Sequence, residues 1–236
     1  MYNLLFLWNI VSANFNVRCF SSLVDAERVD PIVTYGKISG HAHTVVGGSN
    51  FSPISSADDV SKSECTTCNV RVDKSAYWVP TLYNYRDGKY YKVRQIETRA
   101  YYFENTGGMT WPVGFEAVFG DPKRKTPNFN VRYLCWGGPG PDYSTDSFPP
   151  SDKYCTVLQA ETRTASCWDG INKTSKDQSH MYNEAHEGIC PKSHPVKMIR
   201  TQIESHWDLK DIPLPRNLSW SMMDTTGYGY HADFIN

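Results

Sequence analysis

The chain has no apolar run long enough to cross a bilayer as a helix. Its longest candidate, Leu4 to Val11, is far short of the ~20 residues a span needs. It also has no excess of charge: 24 Lys and Arg against 25 Asp and Glu leave a net charge of -1. Without a global field to hold a polyanion by counterion release, nucleic acid is excluded as an expected partner. No G-x-S-x-G elbow, Walker loop or dinucleotide-binding glycine fingerprint is present, which removes serine-hydrolase, nucleotide and dinucleotide chemistries. Long amphipathic helical periodicity is scarce, and no internal repeat, low-complexity tract or charged linker divides the 236 residues, so a single domain is the simplest organisation.

What the chain does have is aromatic rings, 15 Tyr and 7 Trp among them, suited to core packing or to stacking on a sugar face. Its first residues, "MYNLLFLWNIVSANFN", combine a short apolar run with Val11-Ser12-Ala13, a small-residue cleavage pattern. Residues 1–13 therefore read as a signal peptide, residues 14–236 as the mature domain, and the protein as secreted and extracellular. No Lys or Arg precedes the apolar run. Three sequons, at Asn50, Asn172 and Asn217, point to a glycoprotein, although Pro53 hinders use of the first. Seven cysteines in a secreted chain imply disulfides with one thiol left over. Cys65-Thr66-Thr67-Cys68 has redox or zinc spacing, but no second CxxC answers it. By proximity, Cys135 with Cys155 and Cys167 with Cys190 are the economical loop closures.

Short runs rich in Tyr, Val, Thr and Trp alternate with Gly, Pro, Asn and Asp clusters, the pattern of strands and turns. Strands are expected at His41–Val46, Tyr77–Tyr85, Lys89–Phe103, Val113–Phe119, Asn130–Trp136, Cys155–Thr164 and Val196–Glu204. Asp87-Gly88 in "YRDGKY" is a tight hairpin turn, and Gly47-Gly48 an ordinary sharp exit from a strand. The expected fold is mainly β, a two-layer β-sandwich or jelly-roll-like domain with long loops and few short helices.

The stretch "SGHAHTVVGGSNFS" sets His41 and His43 two apart, so that in a strand they share a face. His231 and Asp233 in "YHADF" repeat that spacing. Further imidazoles and carboxylates occur at His180, at His194, and in "IESHWD" with Glu204, His206 and Asp208. Such groups suit a borderline divalent transition metal, metal-free acid–base or sugar chemistry, or plain pinning of loop backbone. The expectation is that His41, His43, His231 and Asp233, joined by His180, converge on one catalytic site, with His41, His43 and His231 as metal ligands. The reason is that buried polar groups must be satisfied together. A carboxylate pair for glycoside hydrolysis could be drawn from Asp30, Asp73, Glu116, Asp121, Asp169, Glu204 and Asp233, and spacing does not choose among them.

Taken in order, "ERVDPIVTYGKISGHAHTVVGGSNFS", "CTTCNVRVDKSAYWVPTLYNYRDGKYYKV", "SCWDG", "SHMY", "CPKSHPVKM" and "GYGYHADFIN" resemble a secreted, mainly fungal family, the domain of unknown function catalogued as nineteen-ninety-six, over about Asn16 to Asn236. The resemblance implies contact with cell wall or polysaccharide, enzymatic or purely adhesive, and brings no reaction with it. It adds Asp30, Lys74, Tyr77, Trp78, Asp169 and His194 as binding residues beside the histidines. Thr34-Tyr35-Gly36 and Glu116 depart from the family pattern. The family commonly continues past the position of Asn236 with another cysteine, so truncation is expected to account for the odd thiol.

Overall fold

The structure is a computed structural model, and it describes residues 15–103, 107–127, 130–182 and 189–236. The expected signal peptide lies outside the described residues. Strands and one short helix are numbered in chain order. The larger sheet is antiparallel and runs β1 (Phe15–Cys19), β7 (Gln95–Phe103), β15 (Arg200–Asp208), β11 (Val157–Arg163), β9 (Val131–Trp136), β10 (Tyr143–Thr145). The second, also antiparallel, runs β2 (Val24–Glu27), β3 (His43–Gly47), β4 (Ala76–Pro80), β17 (His231–Ile235), β8 (Glu116–Gly120). Two small sheets complete it: β13 (Met181–Tyr182), β12 (Cys167–Trp168), β14 (Val196–Lys197); and β16 (Leu218–Trp220), β5 (Leu82–Arg86), β6 (Lys89–Lys92).

The period of two decides how these sheets stack. Alternate residues of the larger sheet, among them Ala100, Tyr133, Leu158, Ala160, Ile203 and Trp207, are buried in one cluster with Val46, Tyr77, Val79, Phe119 and Phe234 of the second sheet. The protein is thus mainly β, two large sheets face to face over a common core, as the alternation predicts. A hydrogen bond of 2.7 Å between the Tyr77 and Tyr102 hydroxyls ties the layers.

The opposite face of the second sheet is also covered. Val45, Ala76, Trp78 and Ile235 pack there against Val29, Ala57 and Val60, a smaller core closed by the segment that leads from β2 through helix α1 (Ala57–Ser61). That helix is one turn long and starts with a capping box in which Ser56 and Asp59 satisfy each other's backbone N–H groups.

Local chemistry explains where the strands differ from expectation. The Tyr77–Tyr85 run is two strands, because after Thr81, whose N–H still bonds the Ala42 carbonyl at 3.0 Å in the β3 register, the chain passes from the second sheet into the β16–β5–β6 sheet. The Lys89–Phe103 run is likewise split before Gln95. Asp87 and Gly88 both take positive φ, 52° and 74°, as a two-residue hairpin turn requires. Gly47, at φ 112°, does more than turn the chain: a Cβ there would stand 2.0 Å from the Ser75 carbonyl oxygen. Cys135–Cys155 and Cys167–Cys190 are disulfides, Cys19–Cys68 is a third, and the remaining Cys65 is a free, exposed thiol. The CxxC is therefore neither a redox pair nor a zinc half-site.

Candidate metal centre

The covered face of the second sheet carries a polar group at one end of its small core. His43 opens β3 and His231 opens β17, with β4 between them. The strand expected from His41 begins only at His43, so His41 does not share a strand face with it: His41 precedes β3, and its backbone is held in place through Ala42, whose carbonyl accepts from Thr81 N–H at 3.0 Å and from the Ser221 hydroxyl at 2.6 Å.

Two of the rings have their tautomers fixed by backbone. His43 Nδ1 lies 2.7 Å from the Val29 carbonyl and His231 Nδ1 lies 2.9 Å from the Gly229 carbonyl. A carbonyl only accepts, so Nδ1 carries the proton in both, and each Nε2 presents a lone pair. Those two lone pairs face each other at 3.4 Å. His41 Nε2 approaches His231 Nε2 at 3.0 Å. One proton on His41 can bridge to one of the other two, and the third acceptor is left without a donor. Three nitrogens bound at ~2.0–2.1 Å to one tetrahedral ion stand about 3.3 Å apart, so the spacing is that of a ligand set. The three ligand atoms all lie within 4.8 Å of one another, with His43 and His231 buried and His41 partly open to solvent.

Electrostatics keep these rings neutral, the form that ligates. Burial is the main cause throughout. It lowers His41 to about 4, helped by the Arg28 guanidinium, and His231 to about 3, helped by His41. His43 is held well below its ordinary value by burial and by both other rings.

Asp233 projects from the same face as His231, two residues on. Its Oδ2 is buried, has no hydrogen-bond partner, and lies 4.0 Å from His231 Nε2. Burial, reinforced by the charge of Asp30, raises the Asp233 carboxyl well above the usual range. Asp30 is raised by burial too, opposed by the Val33 and Ile32 N–H groups that its Oδ1 accepts at 3.0 and 3.2 Å. Trp78, directly opposite Asp233 in register, has a buried Nε1 without a partner.

His180 does not join this group. Its Nε2 donates to the Glu116 carbonyl at 2.9 Å, its Nδ1 accepts from the Ser175 hydroxyl at 2.7 Å, and its ring packs on Phe115. His194 donates to the Ser179 carbonyl at 2.8 Å. Asp169 accepts from Ile171 and Asn172 N–H in a loop turn, and its own N–H bonds His180 O. These three thus hold loops around the β12–β13–β14 sheet. Lys74 donates to the Glu64 carbonyl at 3.1 Å. Tyr77 points into the main core, because it neighbours Trp78 on a strand and must take the other face. Of the two uses open to the aromatic rings, Trp78, Tyr77 and Tyr230 serve packing: all three are buried and give the centre no open sugar floor.

Two supports of the centre have no motif in the sequence. The carboxylate of Asp224, 1% exposed, accepts from Gly229 N–H at 2.8 Å and from Thr226 N–H at 3.0 Å, fixing the loop whose Gly229 carbonyl orients His231. Gly120 pairs with His231 at φ 96°, where a Cβ would stand 2.5 Å from Tyr230 O. The available signal for the first was an Asp leading the Gly-rich turn "DTTGYG".

Compared with protein-family models, residues 30–236 match the domain of unknown function DUF1996. No curated protein and no solved structure matches the chain.

Proposed function

The chain belongs to the DUF1996 family, whose name prescribes no reaction, and from that premise we propose that it is an extracellular metalloprotein whose His41, His43 and His231 hold a divalent transition metal. The observation that carries this is the pair of buried Nε2 lone pairs, each aimed inward by a carbonyl bond behind its ring. That bond from the far nitrogen is the usual means of orienting metal-bound imidazole. Without a cation the two buried acceptors repel; with one, all three rings are satisfied. Asp233 is the adjacent carboxylate, placed to bond a metal-bound water or to serve as a fourth ligand.

The partial exposure of His41 leaves a side through which water or substrate reaches the ion, as catalytic centres require. The chemistry is then activation of a bound water or polarisation of a substrate oxygen. Polysaccharide of a cell wall is the substrate class we infer, supported by solvent-exposed Tyr85, Tyr90 and Tyr91 on the β5–β6 hairpin, rings suited to sugar stacking. Disulfides and three exposed sequon asparagines support secretion. No helix among the described residues is long and apolar enough to cross a membrane. A non-catalytic wall-binding role would use the same ion without turnover.

The test is elemental analysis of protein purified without a histidine tag, followed by product release from a polysaccharide panel with and without chelator. One equivalent of a transition metal, lost in His43→Ala and His231→Ala, is expected. Folded protein that takes up no zinc, copper, manganese or iron would overturn the metal centre. Metal binding without chelator-sensitive product release would assign the binding role.

A further inference from the structure

The face of the six-stranded sheet turned away from the core is built of charge. Across its central strands, in register, stand Arg99 on β7, Glu204 on β15, Glu161 on β11 and Arg132 on β9. One pair along the strands come Glu97 and His206, again directly opposed. Like charges facing each other on neighbouring strands destabilise a sheet, yet Glu161 and Glu204 do so while only 5% and 6% exposed. No apolar cluster among the described residues covers this face.

Most of the group is accounted for by pairing. Glu97 is neutralised by Arg18 at 2.9 Å and by Arg99. The Glu161–Glu204 pair is held by side-chain amides instead of by a bonded guanidinium. Between them lies the Gln202 amide, whose single Nε2 donates to Glu161 Oε2 at 3.1 Å and to Glu204 Oε1 at 2.6 Å, and the Gln159 amide donates to the same Glu161 oxygen at 3.0 Å. His206, 3% exposed, turns Nε2 toward Glu204 Oε2 at 3.6 Å, too far to bond, and that nitrogen has no hydrogen-bond partner. A bulge between His206 and Trp207, opposite Gln95 and Glu97, locally re-aims the strand. Trp136 lies beside the group, its ring 6.2 Å from that of His206, and Tyr101 closes the other side with its hydroxyl on Arg99.

We propose that this face is a second active site, independent of the metal centre, in which Glu161 and Glu204 hydrolyse a glycosidic bond with retention of configuration. Oxygens that bond one amide nitrogen at 3.1 and 2.6 Å lie less than ~6.5 Å apart, the lower limit for an inverting pair, so the arrangement suits retention. Glu161 is the acid: burial, then the Glu204 charge, raises its carboxyl above the ordinary value against the Gln159 hydrogen bond and the Arg132 and Arg163 charges, which lower it. In the first step Glu161 gives its proton to the glycosidic oxygen, Glu204 bonds the anomeric carbon, and the aglycone leaves as an alcohol. In the second, Glu161 takes a proton from water, whose oxygen bonds that carbon and releases Glu204 as carboxylate. His206 is a positioning residue for Glu204, and Trp136 and Tyr101 offer ring faces to flanking sugars.

The experiment incubates the full chain with 2-deoxy-2-fluoroglycosyl fluorides of gluco, galacto, manno and xylo configuration, in both anomeric forms, with EDTA present. Peptide mass mapping is expected to find one glycosyl group on Glu204, absent from Glu204→Gln. Glu161→Gln should slow cleavage of an aryl glycoside with a poor leaving group about 100-fold or more, and one with a good leaving group far less. If Glu204→Gln does not fold, the labelled position in the unsubstituted chain still decides. No labelling by any probe, labelling elsewhere than Glu204, or hydrolysis that chelator or His231→Ala abolishes overturns the proposal; the last outcome assigns the activity to the metal centre instead.

Discussion

Asp233 and Trp78 stand directly opposite each other on β17 and β4, and each buries a polar atom, Oδ2 and Nε1, that meets no partner. A buried polar group left unmade costs about 1–3 kcal/mol, so a strand pair that keeps two has a use for one. With a cation held by the histidines, the carboxylate gains a bound water or the ion itself. Asp233→Asn is therefore expected to weaken metal affinity about 10–100-fold, measured by competition with a chromogenic chelator. In metal-free protein the same substitution should cost less than about 1 kcal/mol, because nothing bonded is lost.

Asp224 acts through the backbone. Asp224→Ala removes the acceptor of the Gly229 and Thr226 N–H groups and frees the carbonyl that sets the His231 tautomer. A loss of about 3 kcal/mol in urea unfolding is expected, together with weaker metal binding in whatever fraction remains folded.

Two glycines with similar φ should respond differently to alanine. At Gly120 the new methyl meets Tyr230 O at 2.5 Å and His231 Cα at 2.9 Å, whereas at Gly88 it meets nothing within 4 Å. Gly88→Ala should cost about 1–2 kcal/mol, the left-handed penalty alone. Gly120→Ala should cost clearly more and impair metal uptake, since β8 must move away from the ligand strand.

Acid stability should depend on Glu97. Burial would raise its carboxyl, but hydrogen bonds from Arg99 and Arg18 and the nearby His206 outweigh that and hold it below the ordinary value. A depressed folded-state pKa contributes stability that is present above the unfolded value of ~4.3 and is lost as pH falls through the folded one. Glu97→Gln should lower Tm near neutrality and flatten its decline below about pH 4.

The alternation His-x-Asp made one edge of the metal centre legible, because His231 and Asp233 lie in β17 and strand period sets that they share a face; His-x-His pointed to the right pair for a reason that does not hold, since His41 lies before β3 begins. The meeting of the two stretches was not legible: it depends on β4 lying between β3 and β17, a pairing that joins residues some 190 apart. His180 carries the same residue type and was drawn into the same expected site, yet its ring, like that of His194, has one nitrogen on a nearby serine hydroxyl, Ser175 or Ser193, and the other on a backbone carbonyl, Glu116 or Ser179. Sequence offers no sign of that difference. The carboxylates show the same limit. Glu204 and His206 share a face by spacing, but Glu161, the partner across the strands, has no signal until register is known.

The disulfides close loops of 49, 20 and 23 residues, and none of the three involves β17. β17 lies between β4 and β8 and is joined to them by strand pairing and packing. An ion shared by His41, His43 and His231 would cross-link it to β3 and close by far the largest loop in the chain, where the entropy removed from the unfolded state is greatest. Metal loading would then act as a reversible stitch between β3 and β17: the empty protein would part along that seam more readily than the loaded one.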